Sequence, residues 1–187
     1  MDLISNKLSL TELMRRNAES VSAIVKEIKN WEEAIIYVVD VTLKQVGKVI
    51  AAVGINNKFC SNLEFQCNKN GIKLETKNLR NSLDLIHTGF TTVDYGIAET
   101  GTLVIQSNNE DVRIASMLSN IHIAVLPESK IRKRFEDITD ELKNRFKNAA
   151  DYTAFISGPS RTADIERVLT IGAHGPLELH ILILMGN

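Results

Sequence analysis

Gly47-Lys48-Val49-Ile50-Ala51-Ala52-Val53-Gly54 decides the fold, because a short, apolar, β-rich run with a glycine at each end reads as a buried core strand. Downstream, Phe59 to Asn70 is compatible with a helix, Gly71 stops it, and Ile72-Lys73-Leu74-Glu75-Thr76 alternates as a second strand does. Together these segments make a βαβ unit. Asn78 to Thr88 holds a turn or short helix, and Asp111 to Leu118 is a short helix capped by Asn108 or Asn109. Ile121-His122-Ile123-Ala124-Val125-Leu126, closed by Pro127, is another buried strand, and Tyr152 to Ser157 and Leu177 to Leu184 have the same apolar, β-branched look. Strands alternating with helices predict an α/β protein with a mostly parallel sheet flanked by helices.

Upstream of this unit, Ser9-x-x-Glu12 has capping-box spacing, so a helix begins there. Leu10, Leu13, Met14, Val21, Ile24, Val25 and Ile28 then recur at helical steps, which predicts one amphipathic helix of about five turns. A second helix is expected from Trp31 to Gln45, with Trp31, Ile35, Val38, Val39, Thr42 and Val46 as its apolar stripe. Two helices therefore precede the first expected strand. The chain divides accordingly into an N-terminal helical arm, residues 1–30, and an α/β domain, residues 31–187. Ile131, Phe135, Ile138, Leu142 and Phe146 also fall on one face of a helix of about four turns. The basic run Lys130 to Arg134 precedes Glu136, Asp137, Asp140 and Glu141, so it reads as the solvated face of that helix.

Composition limits the function. Of 187 residues, 44% are hydrophobic and 24% charged, the balance of an ordinary globular domain. Lys and Arg number 22 against 23 Asp and Glu, a net charge of −1, so no basic field awaits a phosphate backbone and nucleic acid is not an expected partner. Apolar stretches such as Ala34 to Val39 fall far short of the roughly 18 residues that cross a bilayer, so no membrane span is expected. The first residues lack a basic segment followed by an apolar one, which points to a cytoplasmic location. Cys60 and Cys67 match neither a zinc, redox nor iron–sulfur spacing, and read as two buried or half-buried thiols. The common nucleotide, zinc and serine-hydrolase signatures are absent, and no metal ligand is assigned.

Two clusters of polar residues remain, both at ends of expected strands, where open α/β sheets bind ligands. In the first, Thr91-Thr92-Val93-Asp94-Tyr95-Gly96-Ile97-Ala98-Glu99-Thr100-Gly101-Thr102-Leu103-Val104-Ile105, residues Glu99 to Thr102 form a tight turn between two core segments that brings a carboxylate, two hydroxyls and a glycine backbone together. Such a carboxylate acts as a base, a nucleophile or a partner for a substrate hydroxyl, or simply braces the turn. The second cluster is Gly158-Pro159-Ser160-Arg161-Thr162-Ala163-Asp164-Ile165-Glu166, followed by Gly172-Ala173-His174-Gly175-Pro176. Its loop suits an anion, with Arg161 as a bidentate fork, and His174 sits in a constrained turn from which its ring projects. The plainer reading pairs Arg161 with Asp164 or Glu166 and leaves His174 as a turn residue.

In combination and in this order, Thr92 to Thr102, Gly158 to Glu166 and Gly172 to Pro176 resemble the lactate-utilisation (LUD domain) family, specifically its LutC/YkgG group. The resemblance runs from about Trp31 to the C-terminus. It implies the NagB/RpiA/CoA transferase-like fold, a mostly parallel central sheet flanked by helices. It also implies a component of an L-lactate utilization system in which three proteins together oxidise lactate to pyruvate. Two of those proteins carry iron–sulfur motifs, and this chain matches the cluster-free member, so its cofactor is left unknown and its electrons leave through a partner. By analogy with CoA-transferases, Glu99 occupies the place of a glutamate that attacks a thioester. The expected site is one pocket. Glu99 and His174 would move a proton in it, and Asp94, Thr100, Gly101, Thr102, Gly158, Ser160, Arg161, Thr162, Asp164 and Gly175 would bind a small carboxylate or phosphate-bearing ligand. Expected partners are iron–sulfur subunits and further copies of the chain. The competing expectation is a stand-alone isomerase, deaminase or CoA-transferase working through Glu99.

Overall fold

The computed structural model describes residues 8–145, 152–163, 169–171 and 175–186. In chain order the elements are α1 (Leu10–Ser20), β1 (Ile24–Ile28), α2 (Trp31–Lys44), β2 (Val49–Val53), α3 (Asn57–Lys69) and β3 (Lys73–Glu75). A 3-10 segment (Leu79–Leu85) then leads to β4 (Thr88–Thr92), β5 (Tyr95–Ile97), β6 (Thr102–Ser107), α4 (Glu110–Met117) and β7 (Ile121–Pro127). Last come β8 (Ile131–Arg132), α5 (Thr139–Arg145), β9 (Tyr152–Ile156), β10 (Arg161–Ala163), β11 (Leu169–Ile171) and β12 (Glu178–Leu184).

Six strands form one parallel sheet in the order β1-β12-β7-β4-β2-β3. Both faces are covered, so every residue of β2 is buried, as an apolar run without alternation demands. On one face Ile50, Ala52, Phe90, Ile123 and Leu182 pack under α2 and α3 with Ile35, Val38 and Leu63. On the other, Ala51, Val53, Ala124, Leu126 and Ile181 pack with Met14 and Ala18 of α1, Val112 and Ala115 of α4, and Leu103 and Ile105 of a second sheet. That second sheet has four strands in the order β8-β5-β6-β9. This is the expected α/β architecture. In the large sheet the chain runs from β2 out to β3 at the edge and then reverses to β4, so a topological switch point lies between β2 and β4.

Two expected helices are corrected. α1 stops at Ser20, not Ile28, and residues 24–28 are a strand that pairs in parallel with β12 through Ile24↔His180 to Ile28↔Leu184. The three-residue step from Val25 to Ile28 mimics a helical stripe, yet Val25 joins the core of one sheet face and Ile28 that of the other. In this edge strand Ile24, Lys26 and Glu27 are exposed and only Val25 and Ile28 are buried, one on each face, a spacing that by itself does not tell a strand from a helix. The turn into it places Ser22 at φ 69, which ends the helix without a glycine. The segment expected to be a helical arm thus contributes an edge strand. The second correction concerns the long helix from Ile131. Ile131 and Arg132 instead pair with Gly96 and Ile97, and Phe135–Ile138 forms a 3-10 turn before α5. Ile138 and Leu142 do share a buried face, under Ile97 and Val104, whereas Phe135 is exposed and Phe146 lies outside the described residues. Lys130 and Arg132 hold their cations over the Tyr95 ring instead of lining a helix. Val46, the last member expected in the α2 stripe, lies beyond the helix and is exposed.

Candidate functional site

The α1–β1 junction organises most of the residues the sequence points to. Gly101 takes φ 64 and presses on the last turns of α1, where a Cβ would collide with the backbone of Asn17 and Ala18. Gly158, at φ 74, presses in the same way on the Val21 carbonyl. Both positions need glycine twice over, for the left-handed backbone and for the approach of one chain to another. Asn17 secures the turn by donating from Nδ2 to the carbonyls of Ala98 (2.7 Å) and Glu99 (3.0 Å). Across the cluster runs a chain of hydroxyls, Thr100 Oγ1 to Thr102 Oγ1 (2.7 Å) and Thr102 Oγ1 to Ser157 Oγ (2.7 Å). Arg161 donates from its guanidinium to Ser22 Oγ, and Ser160 N donates to the Pro176 carbonyl at 2.8 Å, beside Gly175. One guanidinium carries five N–H donors, so the bond to Ser22 uses a fraction of its capacity.

Thr100, Gly101, Thr102, Gly158, Ser160, Arg161 and Gly175 therefore gather on the side of the sheet where β1 and β12 begin. Glu99 and Asp94 go elsewhere. Glu99 accepts from Phe135 N at 3.4 Å and faces Arg134 Nε at 3.8 Å, so its carboxylate leaves by the β8 edge of the small sheet. The hydroxyl chain runs the other way, from Thr100 to Ser157 just past β9, and Arg161 turns to Ser22. Asp94 lies at the open end of the β5–β6 hairpin, away from its turn, where Oδ2 accepts from Gln106 N at 2.7 Å and ties the two strands together. Thr162 contributes its backbone to the β10–β11 hairpin, opposite Thr170. That hairpin occupies part of what reads as loop in the sequence. Asp164 and His174 lie outside the described residues.

Two further polar assemblies escape the sequence reading. The first is a cleft of about 440 Å³ at the carboxyl ends of β2 and β3, beside the N-terminal half of α3. Gly54, Asn57, Ser61, Glu64 and Thr76 line it, with Cys60 half-buried in its wall. The signal available in the sequence was Gly54 at the end of a core strand, followed by the helix-capping Asn56. The second joins residues remote in sequence. Tyr37 Oη lies 2.9 Å from His180 Nδ1, His180 Nε2 lies 2.8 Å from Glu178, and Gln45 donates to Glu178 at 2.9 Å. Burial alone would raise the Glu178 carboxyl, but these bonds outweigh it and hold it below the usual range. His122, fully buried in the sheet, binds Thr91 through Nε2 at 2.9 Å while its Nδ1 has no partner. Burial pushes this imidazole down to about 3, with nearby His180 adding to the effect, so it stays neutral. No cluster of His, Cys, Asp and Glu able to hold a metal occurs among the described residues.

Comparison with known proteins places this geometry in a family. The model of the LUD domain matches residues 11–184. A "Lactate utilization protein C" from Halalkalibacterium halodurans is 37% identical over 99 residues, which cover 51% of this chain and 43% of that protein. "Lactate utilization protein C 1" from Bacillus mycoides is 31% identical over 179 residues, 93% of this chain and 73% of that one. The chain thus spans about half the length of several curated relatives and nearly three-quarters of this one. Among solved structures, a DUF162 family protein from Deinococcus radiodurans superposes with a TM-score of 0.64, covering 95% of this chain and 99% of that chain at 19% identity, a likeness of fold. With the match extending from the second residue of α1 to the last of β12, the chain belongs to the LUD domain family.

Proposed function

We propose that the protein is a LutC-like component of an L-lactate utilization system, an accessory subunit for the oxidation of lactate to pyruvate with iron–sulfur partner proteins. The observation that carries this reading is the 31% identity with the Bacillus mycoides lactate utilization protein over 93% of the chain. The Arg161 side of the molecule suits a small carboxylate: a guanidinium, hydroxyls and backbone converge there. Two features favour an accessory role over a stand-alone enzyme. Glu99 accepts from Phe135 N and faces Arg134, whereas Arg161 donates to Ser22, so the two side chains have different partners. Iron–sulfur clusters are held by Cys thiolates, usually four, and these 187 residues contain two cysteines. Burial, and to a lesser extent Glu64, raises both thiols. Electrons from lactate therefore pass to partner subunits.

Deleting the gene tests the reading. The deletion strain is expected to lose growth on L-lactate as sole carbon source, keep growth on glucose, and recover with a wild-type copy. Undiminished growth on L-lactate contradicts it. Affinity purification of the full chain from lactate-grown cells is expected to bring iron-containing proteins with it, and their absence contradicts the partnership.

A further inference from the structure

We propose that the cleft at the carboxyl ends of β2 and β3 is a binding site for a neutral ligand with adjacent hydroxyl groups, a free sugar or the ribose of a nucleoside. Its position is the first argument. Ligands of open α/β sheets bind outside the carboxyl ends of the strands, where the strand order reverses, and β2 borders that reversal. Thr92 Oγ1 of β4 donates to the carbonyl of Gly54, a lining residue, at 3.0 Å, which ties the two sides of the switch point together beside the cleft. At about 440 Å³ the space lies within the range of small-molecule sites.

The lining decides the chemistry. Glu64 is acceptor-only, and no ion pair engages it among the described residues. Ser61 donates its hydroxyl hydrogen to the Asn57 carbonyl at 3.3 Å, which leaves its oxygen to accept. A ligand that donates from two neighbouring hydroxyls meets both groups, as a vicinal diol meets an acidic residue at ribose sites. Among the described residues no Lys, Arg or His lines the cleft, so a phosphate finds a carboxylate and no cation there. Leu74 and Ala52 give an apolar wall for a ring.

The chain also carries a reporter. Trp31, its only tryptophan, stacks on Phe59 with centroids 4.7 Å apart, and Phe59 adjoins Cys60 in the cleft wall. Calorimetric titration of the full chain with adenosine, D-ribose and 2′-deoxyadenosine tests the site, with Trp31 emission as a second readout. Saturable binding of adenosine, or of D-ribose, is expected, and Glu64→Gln is expected to weaken it by roughly 10-fold or more at an unchanged melting temperature. Adenosine without D-ribose assigns the site to a nucleoside, and binding of both assigns it to the sugar. 2′-Deoxyadenosine, which lacks the diol, is expected to bind roughly 10-fold more weakly than adenosine. The proposal is overturned if neither compound binds, if Glu64→Gln binds as the wild type does, or if inorganic phosphate binds and Glu64→Gln strengthens it.

Discussion

Where α1 ends, backbone packs directly on backbone, with Gly101 and Gly158 seated against residues 17–21. Where β2 ends, Gly54 has the same left-handed backbone, φ 76, but a Cβ there would meet only Thr92 Oγ1, at an ordinary 3.4 Å. The first region spends its glycines on close approach and the second leaves space. Sequence motifs advertise the former, because rare backbone needs leave glycines and hydroxyls in a fixed order. An open cleft needs no rare residue and leaves a faint trace.

The largest effect that could break this contrast is a stability difference. Gly101→Ala meets both the backbone penalty and a collision with α1, and should cost about 3 kcal/mol or more, up to loss of the fold. Gly54→Ala meets only the backbone penalty and should cost about 1–2 kcal/mol. Urea unfolding of the two variants reads the difference, and equal losses would remove the close approach as the distinguishing feature.

A smaller effect tests the sheet on which both regions rest. His122 stays neutral in the folded protein down to about 3 but takes up a proton near 6.5 when unfolded. Its folded-state value is depressed, so its contribution to stability is complete above about pH 6.5 and is lost as the pH falls toward 3, at about 1.4 kcal/mol per pH unit. Between pH 7 and 5 the wild type should lose about 2 kcal/mol from this group. His122→Gln should show a shallower slope over that interval in the same urea experiments. A slope equal to that of the wild type would mean that His122 is solvated.

The βαβ unit from β2 to β3 was legible because glycines and an asparagine punctuate it and its strands are apolar without interruption. β1 was not, since Val25 and Ile28 face opposite sides of a sheet buried on both. Parallel pairing with β12, some 150 residues later in the chain, is a tertiary fact with no local signature. The region from Ile131 failed for a related reason: pairing with β5 outweighs a helical spacing whose Phe135 remains exposed. For the site, glycines, hydroxyls and Arg161 were legible as a group, but the direction of Glu99 was not. Its carboxylate is drawn to Arg134 and Phe135 N, which the sequence assigned to a helix. The Tyr37–His180–Glu178 chain was invisible because α2 and β12 meet only in the fold.

The most direct test of the account is calorimetric titration of L-lactate and pyruvate into the wild type, Arg161→Gln and Glu99→Gln. The expected result is saturable carboxylate binding by the wild type, a loss of roughly 10-fold or more in Arg161→Gln at an unchanged melting temperature, and wild-type binding in Glu99→Gln. Equal binding by Arg161→Gln, or a loss confined to Glu99→Gln, would contradict it and move the carboxylate to the other edge of the small sheet.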